Sequence, residues 1–192
     1  MPSALLLIAK VLYLFAPLIA SAALSGLVLR LDLCRVLYVP IDAGVTVHGK
    51  RLFGDHKTWR GVAVAWVGCV ATVAAQKYLT GERAQTLCVV DYGKLNFLLF
   101  ASSMAIGAML GELPNSFAKR QMGIEPGEPA RGAWGVVFYA WDQIDLLAAW
   151  VFIAPWVRPA PSLVLTSIAV AFVVHPAVSL IGYIVGARRV AR

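Results

Sequence analysis

Gly111 to Gly132 reads G-E-L-P-N-S-F-A-K-R-Q-M-G-I-E-P-G-E-P-A-R-G. An aromatic-rich run follows, and W-D-Q-I-D closes the stretch at Trp141 to Asp145. Carboxylates and cations thus lie between two strongly apolar segments, and two aspartates fall inside the second of them. Ionisable side chains at membrane depth are costly, and their usual return is function.

Composition supports the membrane setting. Of the 192 residues, 60% are hydrophobic and 14% charged, with a mean hydropathy of +0.76. A soluble domain carries about 25% charged residues. The chain therefore reads as an all-α integral membrane protein forming one domain over residues 1–192, too short for an added soluble module. A bilayer core needs about 20 apolar residues per helix. Five segments qualify: Val11 to Leu29, Val62 to Leu79, Leu95 to Leu113, Val136 to Val157 and Ser162 to Ala187. The run from Ala4 to Leu29 continues past Ser21-Ala22-Ala23, so it reads as a retained helix and not a signal peptide.

Orientation follows from the basic residues. The first loop, the third loop and the C-terminal tail lie on one side of a five-span chain. That side holds twelve of the 17 Lys and Arg residues, among them Lys57, Lys119, Arg120, Arg188, Arg189 and Arg192. Basic loops stay inside, which predicts N-terminus out, C-terminus in, and two polar cytoplasmic loops. The expected location is the cell inner (cytoplasmic) membrane. The net charge of +7 is then explained by topology and anionic lipid, with no nucleic acid as partner. Cys34, Cys69 and Cys88 are odd in number and lack C-x-x-C spacing, which indicates packing and not metal or disulfide roles.

On this orientation every candidate site residue converges on the cytoplasmic face. Ser116, Lys119 and Arg120 share one face if this piece is helical, with Pro114 in its first turn. They form either a phosphate-binding surface or a positive-inside anchor. Asp142 and Asp145, at i and i+3, also share a face. Such carboxylates repel unless a cation such as Mg²⁺ lies between them. The alternative is a helix that starts later and leaves both in water, which the apolar neighbours Tyr139, Trp141, Ile144 and Leu146 disfavour. In the first loop, Asp42, Asp55, Lys50, Arg51, Lys57 and Arg60 form a dense mixed-charge cluster. Singly each reads as a solvated loop residue; with the third loop they read as the other wall of a polyphosphate site. Val45 to Phe53 alternates around a Gly-containing turn, as a hairpin does. Gly107 and Gly111 read as a close helix contact, and His175, before Pro176, as a packed histidine. A P-loop is excluded because no Gly-x-x-x-x-Gly-Lys-Ser/Thr run exists. The absence of Asp-Gly-x-x-Ala-Arg argues against the CDP-alcohol phosphatidyltransferases.

Five motifs carry a family resemblance: P-I-D-x-G at Pro40 to Gly44, G-K-R-L-F-G-D-H-K-T-W-R-G at Gly49 to Gly61, S-x-x-K-R at Ser116 to Arg120, G-I-x-P-G at Gly123 to Gly127, and D-Q-x-D at Asp142 to Asp145. From about residue 40 to 150 the chain resembles the archaeal CDP-archaeol synthases. These are five-helix membrane cytidylyltransferases related to CDP-diacylglycerol synthase. The resemblance implies a Mg²⁺-dependent enzyme that converts CTP and a membrane lipid phosphate into a CDP-lipid and pyrophosphate. It implies that Asp142 and Asp145 hold metal, with Glu112 a further candidate, and that Lys119 joins them in catalysis. Ser116, Arg120, Lys57, Arg60, Asp55 and Asp42 would bind substrate. Two departures stand out. Gly111-Glu112 replaces the family's Gly-Asp, and the Lys-Asp and His-Gly-Gly elements of CDP-diacylglycerol synthase are missing. The lipid tails could therefore be isoprenoid ethers or acyl esters. The rival reading is a non-catalytic membrane protein that binds or presents an anionic lipid.

Overall fold

The structure, a computed structural model, describes residues 3–79, 82–126, 128 and 130–184. Gly127 and the orienting Arg188, Arg189 and Arg192 lie outside the described residues, as does the end of the fifth expected span.

Helix α1 covers Ala4–Arg30 and begins under a Ser3 cap, whose Oγ accepts from the Leu6 amide. It starts seven residues before the expected Val11, and Lys10 lies within it. The other helices are α2, Trp59–Leu79; α3, Phe97–Gln121; α4, Ala133–Ile144; α5, Ala149–Ile153; and α6, Pro161–Ile184. Five helical stretches are long and apolar enough to cross a membrane, with α4 and α5 counting as one. Many of their large apolar side chains are exposed, for example Leu5, Val67, Val151 and Val173. Lipid tails solvate such side chains as well as a protein core does.

Two expectations need correction. The third span does not stop at Leu113 before a new helix. It runs on through Pro114 to Gln121 as one helix, capped at its start by Asn96. Proline removes one backbone donor, and membrane helices tolerate this where neighbouring elements re-satisfy the freed carbonyl. The fourth span, by contrast, is not continuous. A 3₁₀ turn over Asp145–Ala148 separates α4 from α5. Apolar composition does not distinguish a 3₁₀ turn from an α turn, so the break is invisible in the hydropathy.

Helix α3 is the hub. It packs against α2 on one side and against α5 and the 3₁₀ turn on the other, while α1 packs on α2 and α6. Small residues permit these approaches. A Cβ on Gly68 would fall 2.7 Å from Ser21 Cα. One on Gly107 would fall 2.8 Å from Ala149 Cα, and one on Gly111 would fall 2.2 Å from the Asp145 carbonyl oxygen. Both glycines of α3 are therefore close helix contacts. The core around them includes Leu14, Cys69, Val73, Phe100, Met104 and Ile153. Two polar pairs join the helices: Trp66 Nε1 donates to Ser102 Oγ at 2.8 Å, and His175 Nδ1 lies 3.1 Å from Gln143 Oε1. His175 is thus a packed histidine. The expected hairpin forms, with strand β1 at Thr46–Val47 paired antiparallel to β2 at Lys50–Arg51. His48 and Gly49 both have positive φ at its tip, as a tight two-residue hairpin turn demands.

Gly111→Val forces α3 and the 3₁₀ turn apart. It should destabilise the protein by about 1–3 kcal/mol and lower the detergent-solubilised melting temperature. Exposed Gly44→Ala meets no atom within 4 Å and provides the strain-only comparison.

Candidate functional site

Because α3 is unbroken, Glu112, Asn115, Ser116 and Lys119 fall at i, i+3, i+4 and i+7 on one stripe of it. Two walls face this stripe. From α4, Asp142 accepts from Lys119 Nζ at 2.6 and 2.8 Å and from Asn115 Nδ2 at 2.6 Å. From the first loop, Lys57 makes an ion pair with Glu112, and Lys50 donates to the Gln121 carbonyl. Asp145 caps α4 next to Gly111, one turn along from Asp142. The aliphatic part of Arg120 rests near Gly54 and Pro126, while its Nε and Nη1 are buried without hydrogen-bond partners among the described residues.

Asn115 was not foreseen. It is 3% exposed, and with Nδ2 committed to Asp142 its Oδ1 is buried with no hydrogen bond among the described residues. A buried acceptor without a partner costs about 1–3 kcal/mol. The signal for it was the i, i+3, i+4, i+7 spacing, hidden by reading Pro114 as a helix start.

The remaining expected residues are placed differently. Asp42 has a fully buried carboxylate that organises the first loop. It accepts from the amides of Phe53 at 3.0 Å, Gly54 at 3.1 Å and Gly44 at 3.2 Å, and from Arg51 Nη2 at 2.6 Å. Burial works to raise its pKa, but the Arg51 guanidinium and the three amides outweigh burial and hold it at about 2. Arg51 also pairs with Asp55 at 2.6 Å. Arg60 points to the opposite side of the loop, where Nη1 reaches Asp32 at 3.1 Å and the Leu33 carbonyl at 3.2 Å. Its guanidinium lies 4.6 Å over the Tyr38 ring. The structure therefore gathers Lys57, Glu112, Ser116, Lys119, Asp142 and Asp145 around α3. Asp42 and Asp55 hold the loop carrying Lys57, and Arg60 anchors that loop to the end of α1.

Asp142, Asp145 and Glu112 are oxygen donors of the kind a hard divalent cation takes, and Asn115 Oδ1 is an amide oxygen with an open lone pair. Among the described residues no three His, Cys, Asp or Glu side chains are gathered as a ready-made metal cage.

Residues 4–191 match the model of a protein family described as CarS-like, CDP-archaeol synthase. The chain is similar to the CDP-archaeol synthase of Archaeoglobus fulgidus, with 36% identity covering 76% of this chain and 78% of the relative. It is also similar to the synthases of Methanosphaerula palustris, at 32% identity over 79% and 88%, and Aeropyrum pernix, at 29% over 79% and 77%. A solved structure of an intramembrane enzyme for archaeal membrane lipids biosynthesis superposes with a TM-score of 0.63. That likeness has 24% identity and covers 88% of this chain and 92% of the other.

The Asp42 carboxylate links pH to stability. Its folded pKa, about 2, lies below the ordinary 3.8, so its contribution is present above about 3.8 and is lost as the pH falls toward 2. Asp42→Asn should cost on the order of 2 kcal/mol at neutral pH and flatten this acid limb. Thermal unfolding of both proteins across the acid range measures it.

Proposed function

The chain belongs to the CDP-archaeol synthase family, and on that premise we propose that it transfers the cytidylyl group of CTP to a lipid phosphate. The products are a CDP-lipid and pyrophosphate. The observation carrying this reading is the single α3 stripe of Glu112, Asn115, Ser116 and Lys119, met by Asp142 on one side and Lys57 on the other.

In the reaction, a phosphate oxygen of the lipid attacks the α-phosphorus of CTP. The bond from that phosphorus to the bridging oxygen breaks, and pyrophosphate leaves. Such transfers are catalysed by positioning and charge neutralisation more than by covalent chemistry. Asp142, Asp145 and Glu112 would hold Mg²⁺, with Asn115 Oδ1 as a neutral oxygen beside them. Bound there, the ion would neutralise phosphate charge. Lys119 and Lys57 balance the carboxylates, and with substrate bound their ammonium groups would turn toward phosphate oxygens. Ser116 adds a hydroxyl on the same stripe, and Arg120 carries guanidinium donors without hydrogen-bond partners among the described residues. Asn115 keeps the Asp142 carboxylate oriented.

A recess of about 340 Å³ opens beside the stripe, between Leu110, Pro114, Trp141, Ile144 and Phe152, with Asp145 at its edge. It gives an apolar chain room next to the carboxylates. The relatives are named for archaeol, so an isoprenoid glycerophosphate is the first substrate to offer and phosphatidic acid the second. The basic first and third loops support a site on the cytoplasmic face of the inner membrane, with the N-terminus outside and the C-terminus inside.

Purified protein should release pyrophosphate from CTP, with Mg²⁺, in the presence of at least one lipid from a panel of isoprenoid glycerophosphates and phosphatidic acids. Silence across the panel would overturn the assignment. Asp145→Asn and Lys119→Met should each lower turnover by about 10²-fold or more while leaving the melting temperature near wild type. Asp142→Asn should also abolish Mg²⁺-dependent binding of CTP, read by thermal shift. Wild-type turnover in Asp145→Asn would refute its metal role.

A further inference from the structure

The first loop carries an apolar surface that the transfer reaction does not use. Helix α1 ends at Arg30, and every residue from Leu31 to Val39 is exposed. Six of these nine positions are large and apolar: Leu31, Leu33, Val36, Leu37, Tyr38 and Val39, with Val36 at 89% exposure. Apolar residues scattered singly over a surface are ordinary, but a contiguous run marks contact with a protein or a membrane.

The run is firmly mounted. Leu33 N donates to the Val28 carbonyl at 3.0 Å, and Trp59 N donates to the Val39 carbonyl at 2.9 Å. Residues Arg35–Leu37 form a 3₁₀ turn. Beneath the run lies the buried Arg60, bonded to Asp32 and the Leu33 carbonyl and stacked under Tyr38. One guanidinium therefore holds both halves of the segment, and the six side chains project outward from a fixed frame.

Two observations identify what covers it. The surface continues the exposed apolar side of the last turn of α1, at Leu27 and Leu29, and half-exposed Trp59 flanks it at the start of α2. Aromatic side chains of this kind settle at the headgroup level. Its charge is cationic as well. Arg30 and Arg35 are exposed, and Asp32, the single acid in the run, is already paired with Arg35 at 2.7 Å and with Arg60.

We propose that residues 31–39 form an interfacial lip, seated at the boundary between acyl chains and headgroups. Arg30 and Arg35 draw the phosphates of anionic headgroups to it. The lip belongs to the same loop as Lys57: Ile41, two residues beyond it, donates its N–H to the Lys57 carbonyl at 2.8 Å. Its seating thus sets the height of that loop above the bilayer. Membrane contact by the lip is independent of the transfer reaction.

The exposed Cys34 lies within the lip, while Cys69 is buried. Full-length Cys88→Ser protein, labelled at Cys34 with nitrobenzoxadiazole, is reconstituted into vesicles of phosphatidylcholine with and without phosphatidylglycerol. Brief labelling of the unmutated chain, in which exposed Cys34 reacts ahead of half-buried Cys88, guards against a folding defect. The expected result is blue-shifted emission, quenched more by doxyl groups near the headgroup than by groups at mid-chain. Doxyl-labelled phosphatidylglycerol should quench more than doxyl-labelled phosphatidylcholine, and Arg35→Gln should lower that enrichment about five-fold. Val36→Asp should abolish the blue shift. Aqueous emission in both vesicles would overturn the lip. A blue shift that persists in detergent and ignores lipid quenchers would overturn it too, and would assign the surface to a second copy of the chain. Quenching without preference for phosphatidylglycerol would overturn the role of the arginines.

Discussion

The backbone contact between Gly111 and the Asp145 carbonyl sets the geometry on which the site depends. With no Cβ on α3 there, the fourth span approaches until Asp142 reaches Asn115 and Lys119. Any side chain at Gly111 would hold the two elements apart. The carboxylate would then lose bonds of 2.6 Å that weaken steeply with distance. The 3₁₀ turn over Asp145–Ala148 lies at this same contact.

Around that contact the charges are arranged so that each of these carboxylates has its own cation. Glu112 has Lys57, Asp142 has Lys119, and Asp42 has Arg51. These pairs are not equivalent. The Asp42 pair is closed by three backbone amides and serves the loop. The Glu112 and Asp142 pairs are partly open and join different elements, so a ligand with its own negative charge competes for their lysines. A buried pair satisfied on all sides specifies structure, whereas an open pair across a seam is an exchangeable one.

The spans were legible because a run of about twenty apolar residues is what a bilayer core demands and what a soluble domain rarely contains. That Lys57, Lys119 and Asp142 lie at one end of the bundle followed from the count of five spans, which puts the first and third loops on the same side. What escaped was geometry that composition does not encode. Pro114 looks like a helix start, so Asn115 was separated from Glu112 and its membership of the stripe went unseen. Asp42 and Arg60 look like substrate ligands because their residue types are right. Only chain reversal reveals that one binds three amides and the other binds Asp32. The hairpin was visible because its turn needs a residue free to adopt positive φ, and Gly49 supplies one.

The packing of α6 on α1 also orders events in time. Most helix contacts join neighbours in sequence, but this one joins the last described helix to the first. During synthesis α1, α2 and α3 can associate as they emerge, while the side of α1 that packs on α6 gains that partner only after Pro161–Ile184 has been made. A chain stalled before that point leaves this side turned to lipid, and the last helix to be inserted closes the bundle around the first.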